Sequence, residues 1–449
     1  MTFRTRFAPS PTGFLHAGNA RTAIFCYLAA KAAGGEMLLR IEDSDRARNT
    51  PGGADAITED LAALGLQWRN VPPQSSRAES YETKMRRLRD AGAVYPCFCP
   101  LEELARQRKA CIAAGIAPRY SGKCAQLTSE EAQAKITKGA AAALRFRMPK
   151  GAILARDIVR GEVRFDGGDI GDFIVRRTNG DFSFIFINAI DDAADSITCV
   201  LRGEDHLPNL PRQLAVLASL ALPPPTYGHL PLMTGDDGKP LSKRGGAPSV
   251  RQLRDEGYLP LAMMNYLARI GHKYADDGLM TAAQLAEGFA LPKLSKAAAK
   301  FDLCQLHSRQ RMALRKLTAA ERLRWMSAFV PPNVDNEKFA AAIADNAAVF
   351  AEVRQWANAL TDAPCDDDAA KVIKDAGGAF FRAADEVLAD GASWRQFCDA
   401  AAAKSGMSGR KLYLPLRAAL TGKTSGPEMA AFFALLSFAE QKRRLRDYC

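Results

Sequence analysis

The hydrophobic pattern opens with a period of two. Thr2-Phe3-Arg4-Thr5-Arg6-Phe7 alternates and carries aromatic and β-branched residues, so it predicts a strand. Pro9, Pro11 and Gly13 stop it. From Ala20 the period turns helical: Ile24 and Leu28, and Phe25 and Ala29, fall at four-residue steps. The unit is strand, tight loop, helix. Such a unit aims backbone N–H groups and the positive end of a helix at one spot, which suits an anion such as phosphate. His16 and Asn19 sit three apart at that spot. Met37 to Glu42 reads as a second strand, ending in Asp43-Ser44-Asp45-Arg46-Ala47-Arg48. Functional groups gather at strand C-termini in open parallel sheets, so this run belongs with the same cleft; the competing reading is a solvated loop. Residues 54–65 predict a helix ended by Gly65, and Leu66-Gln67-Trp68 a further strand.

Val71-Pro72-Pro73-Gln74-Ser75 breaks the pattern before an inserted region. That region opens with a basic helix from Ser80 to Asp90 and carries Tyr95-Pro96-Cys97-Phe98-Cys99-Pro100 and Arg119-Tyr120-Ser121-Gly122-Lys123-Cys124. Strand-like runs follow at 143–147, 162–165 and 173–176. The sheet is expected to resume at Phe182-Ser183-Phe184-Ile185-Phe186-Ile187-Asn188. A strand at 197–201, a helix at 210–220 and a strand at 229–233 come next. From 250 onward leucine and alanine recur at helical spacing and strands vanish. The basic tail Lys442-Arg443-Arg444-Leu445-Arg446 reads as a solvated helix end.

Composition narrows the class. At 449 residues the chain has room for two or more domains, and 47% hydrophobic with 25% charged residues is that of a globular protein. No run is apolar for the 18 or so residues that a membrane span needs. The first residues already read as a strand, so no signal peptide is expected and the cytoplasm is the default location. A net charge of +11 is compatible with a polyanion partner such as RNA. The ten cysteines are scattered apart from one close pair, which argues against a disulfide framework.

Two motifs carry chemistry. Pro9-Ser10-Pro11-Thr12-Gly13 with His16-Ala17-Gly18-Asn19 resembles the first signature of class I aminoacyl-tRNA synthetases, in its glutamyl form. Leu241-Ser242-Lys243-Arg244-Gly245, on a glycine-flanked loop, resembles their lysine loop. Arg40-Ile41-Glu42-Asp43, Val200-Leu201-Arg202-Gly203-Glu204-Asp205-His206 and Arg417-Ala418-Ala419-Leu420-Thr421-Gly422 extend the resemblance to bacterial glutamyl-tRNA synthetases over nearly the whole chain. That resemblance implies a Rossmann-like parallel-sheet catalytic domain (1–75 and 190–248) interrupted by an inserted α+β acceptor-stem domain (76–189). A helical stem-contact region (249–310) and an all-helical anticodon-binding domain (311–449) would follow.

The resemblance also implies roles. Arg6, Ser10, Glu42, Asn188 and Arg202 would bind glutamate, with Phe184 where the family carries a tyrosine hydroxyl. Ala8, His16, Gly18, Asn19, Arg48, Asp205 and Lys243 would surround ATP, and His16, Asn19 and Lys243 would act in catalysis. Guanidinium forks suit the two carboxylates of glutamate, and Glu42 suits its ammonium. The competing reading of Arg202 is a structural ion pair with Glu204 or Asp205. Adenylate formation adds negative charge at the α-phosphate, which a mobile lysine can meet. The attacking carboxylate is already ionised, so no general base is required. Mg²⁺ would come with ATP, held by phosphates and water.

Cys97, Cys99, Tyr120 and Cys124 resemble the zinc site of some bacterial members; the alternative is free thiols in a lineage without the metal. The expected protein is a monomeric ligase of glutamate to tRNA(Glu). Three rivals remain: charging of tRNA(Gln) instead or as well, glutamylation of a modified base within tRNA, and a non-catalytic tRNA-binding paralogue. The long helical half speaks against the second, and the presence of His16 and Lys243 against the third.

Overall fold

The structure, a computed structural model, describes residues 2–235, 237–241 and 248–449; Lys243 lies outside them. The chain divides into two compact units, Met1–Arg251 with Met264–Asp302, and Gln252–Met263 with Leu303–Cys449.

The first unit contains the strands β1 (Arg4–Phe7), β2 (Glu36–Leu39), β3 (Arg69–Asn70), β4 (Val94–Cys97), β5 (Ala143–Phe146), β6 (Ala152–Asp157), β7 (Gly161–Asp166), β8 (Phe173–Arg176), β9 (Cys199–Gly203), β10 (Thr226–Leu230), β11 (Met233–Thr234) and β12 (Ala299–Lys300). Seven of them form the main sheet, in the order β3-β2-β1-β9-β10-β6-β7. Its neighbours are parallel except for the β6–β7 hairpin. The chain therefore runs outward from β1 to β3, then returns to the other side of β1 as β9. Between β1 and β9 the strand order reverses, and the crevice beyond such a point is where open α/β sheets take ligands.

Parallel strands covered on both faces need near-continuous apolar runs, and Met37-Leu38-Leu39 is buried throughout. The helix Ala17–Ala32 follows the first loop as expected. It is buried on most of its circumference rather than along one stripe, because the sheet covers one side and the helix Ala282–Gly288 another. Phe25 meets Phe289 there at 5.6 Å.

The structure corrects two predicted strands: Leu66-Gln67-Trp68 lies outside any strand, the edge strand β3 beginning only at Arg69, and the run from Phe184 is not a strand at all. Phe184–Ala194 is a helix, with Ser183 at its N-cap. Its short apolar start mimics a buried strand, but Ile187, Asn188, Asp191 and Asp192 are all buried at helical spacing. Within the 76–189 segment, β4, β5 and β8 make a separate antiparallel sheet. The hairpin β6–β7 instead extends the main sheet, through Tyr227 opposite Asp157. One apolar core joins Tyr81, Met85, Phe146 and Phe173 to Phe186, Ile190 and Val216, so the segment shares its interior with the helices that follow it.

Among its described residues the second unit has no strand from Leu303 to Cys449. Its core centres on Phe339, Phe381, Phe397, Phe432 and Phe433, with Phe397 and Phe433 stacked at 5.6 Å. The basic tail is not wholly solvated. Arg444 is only 2% exposed. It donates to Ala359 O at 2.8 Å, to Leu420 O, and to Glu440 Oε1 at 2.6 Å. Both carbonyls lie near the ends of helices, Phe350–Thr361 and Arg410–Thr421, where the last turns leave C=O groups without intrahelical donors. Arg443 and Arg446 stay exposed, as a solvated end would.

Removing Arg444 strands these acceptors in an apolar interior. Arg444→Met is expected to lower the unfolding free energy by about 3 kcal/mol, read by denaturant unfolding of the full chain. Arg446→Met, which removes an exposed pair with Asp385, is expected to cost less than about 1 kcal/mol.

Candidate active site

A cavity of about 400 Å³ opens at the carboxyl ends of β1 and β9. Its walls include Arg6, Ala8, Ser10, His16, Gly18, Asn19, Glu42, Arg48, Phe184, Asn188, Arg202 and Asp205. The fold thus brings to one crevice every glutamate and ATP candidate among the described residues.

The first loop is pinned from several sides. Leu15 N donates to the buried Asp60 carboxylate at 2.8 Å, Thr50 N to Pro11 O at 2.9 Å, and Val250 N to Leu15 O at 2.8 Å. His16 caps the helix Ala17–Ala32, its Nδ1 accepting from Gly18 N at 3.1 Å. A Cβ at residue 18 would stand 3.0 Å from His16 Cε1, so glycine there leaves the ring its place. Asn19, Ser10, Arg48 and Asp205 are exposed at the mouth.

Behind the cavity lies a buried charge cluster. Arg40 is fully buried and reaches Asp192 at 2.7 Å, Asp195 at 3.0 Å, Glu42 at 3.3 Å and Asp191 at 3.9 Å. Arg6 Nε reaches Asp192 at 3.1 Å, and Arg77 reaches Asp195 at 3.0 Å and Asp191 at 3.3 Å. Three guanidinium groups therefore face four carboxylates. Gln213 donates to Asn188 Oδ1 at 2.8 Å, and Asn188 Nδ2 donates to Glu42 Oε1 at 2.5 Å. Burial raises the pKa of Glu42 above the ordinary carboxylate value, against the pull of Arg40 and Arg6. Asp192 is held below it: burial works the other way, and Arg6 and Arg40 overcome it. Burial raises Asp191 as well, but only Glu42 lines the cavity, so the one carboxylate in excess is accessible to a ligand cation there.

Arg202 faces the opposite imbalance. It is 6% exposed, and the ion pairs weighed for it are not made. Glu204 pairs with Arg160, and Asp205 lies 3.8 Å from His206. Its Nη1 and Nη2 have no hydrogen-bond partner among the described residues. Desolvation pulls its pKa down to about 10. A buried guanidinium fork with no anion is a site for one. Phe184 lines the wall with its ring 5.5 Å from that of His206. Burial draws His206 down to about 4, so its imidazole is neutral near pH 7. Sequence reasoning quoted His206 only as part of a run, and missed Arg21 and Thr22 on the same wall. Their helical spacing from Gly18 was the available signal.

Away from this crevice, Cys97, Cys99 and Cys124 bring their Sγ atoms within 4.8 Å of one another. Cys99 and Cys124 Sγ lie 3.6 Å apart, and Tyr120 Oη lies 3.3 Å from Cys99 Sγ and 3.6 Å from Cys97 Sγ. Arg145 Nε donates to Cys97 Sγ at 3.2 Å. Burial opposes the Cys97 thiolate, but Arg145, a backbone N–H and Tyr120 lower its pKa on balance. Cys111 is not part of the group.

Residues 2–308 match the family model of tRNA synthetases class I (E and Q), catalytic domain, and residues 308–449 that of an anticodon binding domain. The chain is 44% identical to glutamate–tRNA ligase 2 of Nitrosococcus oceani over 99% of its length and 98% of the relative's. It is 45% identical to glutamate–tRNA ligase 1 of Halorhodospira halophila over 99% and 96%. The crystal structure of glutamate–tRNA synthetase from Elizabethkingia anophelis superposes with a TM-score of 0.85 at 26% identity, covering 100% of this chain and 99% of the other. The chain belongs to the class I tRNA synthetases (E and Q), and within them to the glutamate–tRNA ligases.

The raised pKa of Glu42 makes a prediction with a definite sign. A carboxyl whose folded pKa exceeds its unfolded value loses stability as pH rises from the unfolded pKa through the folded one. Glu42→Gln removes that loss. The variant is expected to melt no lower than the wild type at pH 7.5, while its KM for glutamate rises at least about tenfold. Thermal denaturation and aminoacylation kinetics check the two halves.

Proposed function

We propose that the chain ligates L-glutamate to the 3′ end of tRNA(Glu) through a glutamyl-adenylate, using ATP with Mg²⁺. The observation that carries this reading is Arg202, a buried guanidinium lining the cavity with no anion among the described residues. A side-chain carboxylate satisfies it, whereas the neutral amide of glutamine leaves its charge uncompensated. Glu42, in a cluster one cation short, takes the substrate ammonium, with Asn188 holding it from the side. Arg6 and Ser10 take the α-carboxylate. Phe184 closes the wall with apolar surface and no hydroxyl.

ATP lies against Ala8, His16, Gly18, Asn19, Arg48 and Asp205. An α-carboxylate oxygen attacks the α-phosphorus, the bond to the bridging oxygen breaks, and pyrophosphate leaves. Orientation and charge neutralisation carry this step. His16 and Asn19 meet phosphate oxygens at the helix start, and Lys243 meets the charge that develops on the α-phosphate. The terminal ribose hydroxyl of tRNA then attacks the glutamyl carbonyl, and AMP leaves. The segment 76–189 contacts the acceptor stem, 249–310 the stem below it and 311–449 the anticodon, consistent with a basic chain. Activation of glutamate waits for bound tRNA. The chain acts as a monomer in the cytoplasm; no described helix is long and apolar enough to cross a membrane.

Cys97, Cys99, Cys124 and Tyr120 would hold a structural zinc. Tetrahedral ligation with Zn–S near 2.3 Å puts sulfurs about 3.8 Å apart, close to the spacing of Cys99 and Cys124. Arg145 offsets part of the excess negative charge of three thiolates.

Aminoacylation with labelled glutamate and purified tRNA(Glu) and tRNA(Gln) tests the central reading. Charging of tRNA(Glu) is expected; charging of neither overturns it, and charging of tRNA(Gln) alone moves it to the first rival. Lys243→Ala should lower kcat about a hundredfold with tRNA affinity near wild type; unchanged turnover removes Lys243 from its role. Metal analysis should find about one zinc per chain, released as pH falls because protons compete for the thiolates. Near-zero zinc after mild handling rejects that site.

A further inference from the structure

Behind Arg202 lies a chain of buried polar groups that crosses three neighbouring strands. Arg202 on β9 stands opposite His229 on β10, and Asp157 ends β6 on the far side. Arg202 Nε donates to His229 Nε2 at 3.0 Å. His229 Nδ1 lies 2.6 Å from Asp157 Oδ2. Asp157 Oδ1 accepts in turn from the backbone N–H groups of Val159, Arg160 and His229 at 2.9, 2.8 and 3.2 Å. His229 and Asp157 have essentially no exposed surface, and neither lines the cavity.

The network determines the tautomer of His229. A guanidinium N–H can only donate, so Nε2 accepts and the ring proton sits on Nδ1, where Asp157 receives it. Burial lowers the pKa of His229, which keeps the ring neutral. Burial pushes Asp157 up, but hydrogen bonds from His229 and from the backbone of Arg160 outweigh it and hold its carboxyl below the usual range. A neutral ring occupies Nε of Arg202 without cancelling the guanidinium charge. Nη1 and Nη2 are left free for a ligand, and the charge of Asp157 is kept one ring away. The Tyr227 ring, 5.2 Å from the guanidinium, limits its movement from another side.

We infer that Asp157 and His229 are positioning residues that lock Arg202 in the orientation and charge state that select a carboxylate over an amide. This rests on the reading of Arg202 as the site of the substrate's side-chain carboxylate. The pair touches no substrate. It acts by occupying the Nε–H of Arg202 and by withholding an anion from Nη1 and Nη2.

Asp157→Asn is the discriminating variant. Its Oδ1 can keep the backbone contacts, but Nδ2 then presents a donor to His229 Nδ1. The ring proton is driven to Nε2, where it opposes Arg202 Nε–H, donor against donor. Aminoacylation of tRNA(Glu) is measured with glutamate and with glutamine. Asp157→Asn is expected to raise the KM for glutamate between about ten- and a hundredfold and to lower the glutamate-to-glutamine ratio of kcat/KM at least about tenfold. The KM for ATP should stay within about twofold, since ATP is bound elsewhere in the crevice. His229→Gln, whose oxygen can accept from Arg202 and whose amide can donate to Asp157, should retain more glutamate affinity and selectivity than His229→Leu.

Wild-type glutamate KM and selectivity in Asp157→Asn overturn the inference. So do equal losses in glutamate KM, ATP KM and kcat, which would mark a merely structural pair. Should Asp157→Asn not fold, the His229 pair of variants decides: equal loss in Gln and Leu overturns it. Arg202→Gln is the control. If that variant keeps the glutamate KM, it is the assignment of Arg202 that fails; if it loses glutamate while Asp157→Asn does not, only the positioning role fails.

Discussion

The architecture of the crevice depends on one buried cation. Arg40, with no exposed surface, ties the end of β2 to the helix Phe184–Ala194, through Asp191 and Asp192, and to Asp195 just after it. These parts lie some 150 residues apart in the chain. An ion cluster of this kind is a poor way to gain stability, because desolvation offsets much of the Coulomb attraction and apolar packing of equal volume does as well. Its geometric consequence is more distinctive. Arg40 contacts Glu42 directly and shares Asp192 with Arg6, so one side chain orients both the carboxylate proposed for the substrate ammonium and the guanidinium proposed for its α-carboxylate.

The crevice is a set of charges left deliberately unbalanced. On one side, three guanidinium groups face four carboxylates, and Glu42 holds its proton more tightly than usual. On the other, Arg202 keeps its full charge and two unused N–H faces. In the proposed pose the substrate ammonium meets the excess carboxylate beside Glu42, and the side-chain carboxylate meets Arg202. Because water is excluded from Arg40, Asp192 and Arg202, each mismatch weighs more than it would at the surface.

Much of this was legible in the residues. The loop from Pro9 to Asn19, the Arg40-Ile41-Glu42-Asp43 run and Arg202 carry their chemistry in their order, and the crevice unites them as their motifs implied. Other features were not legible for identifiable reasons. Phe184 to Ile187 is a short apolar run whose period cannot be told from that of a buried strand, and because burial runs unbroken from Phe186 to Asp192 no one-sided stripe marks the helix. Arg444 looked like any basic tail residue, since nothing local announces that two distant helix ends converge on it. Lys243 carries a role from its motif alone, as it falls outside the described residues.

The division between sequence and tertiary structure follows from the range of the interactions. Turn chemistry, capping and periodicity act over a few residues, so the sequence by itself determined the first strand–loop–helix unit, the helical second half and the identity of the family signatures. Electrostatic balance inside a dry interior depends on which side chains meet from remote segments. Only the tertiary structure decided that Arg202 would have no anion among the described residues, that Arg40 would face four, and that Asp157 and His229 would stand behind Arg202. The first and last come from the order of β9, β10 and β6 across the sheet, and the second from the packing of the helix Phe184–Ala194 against the end of β2; both place side by side residues that the chain keeps far apart.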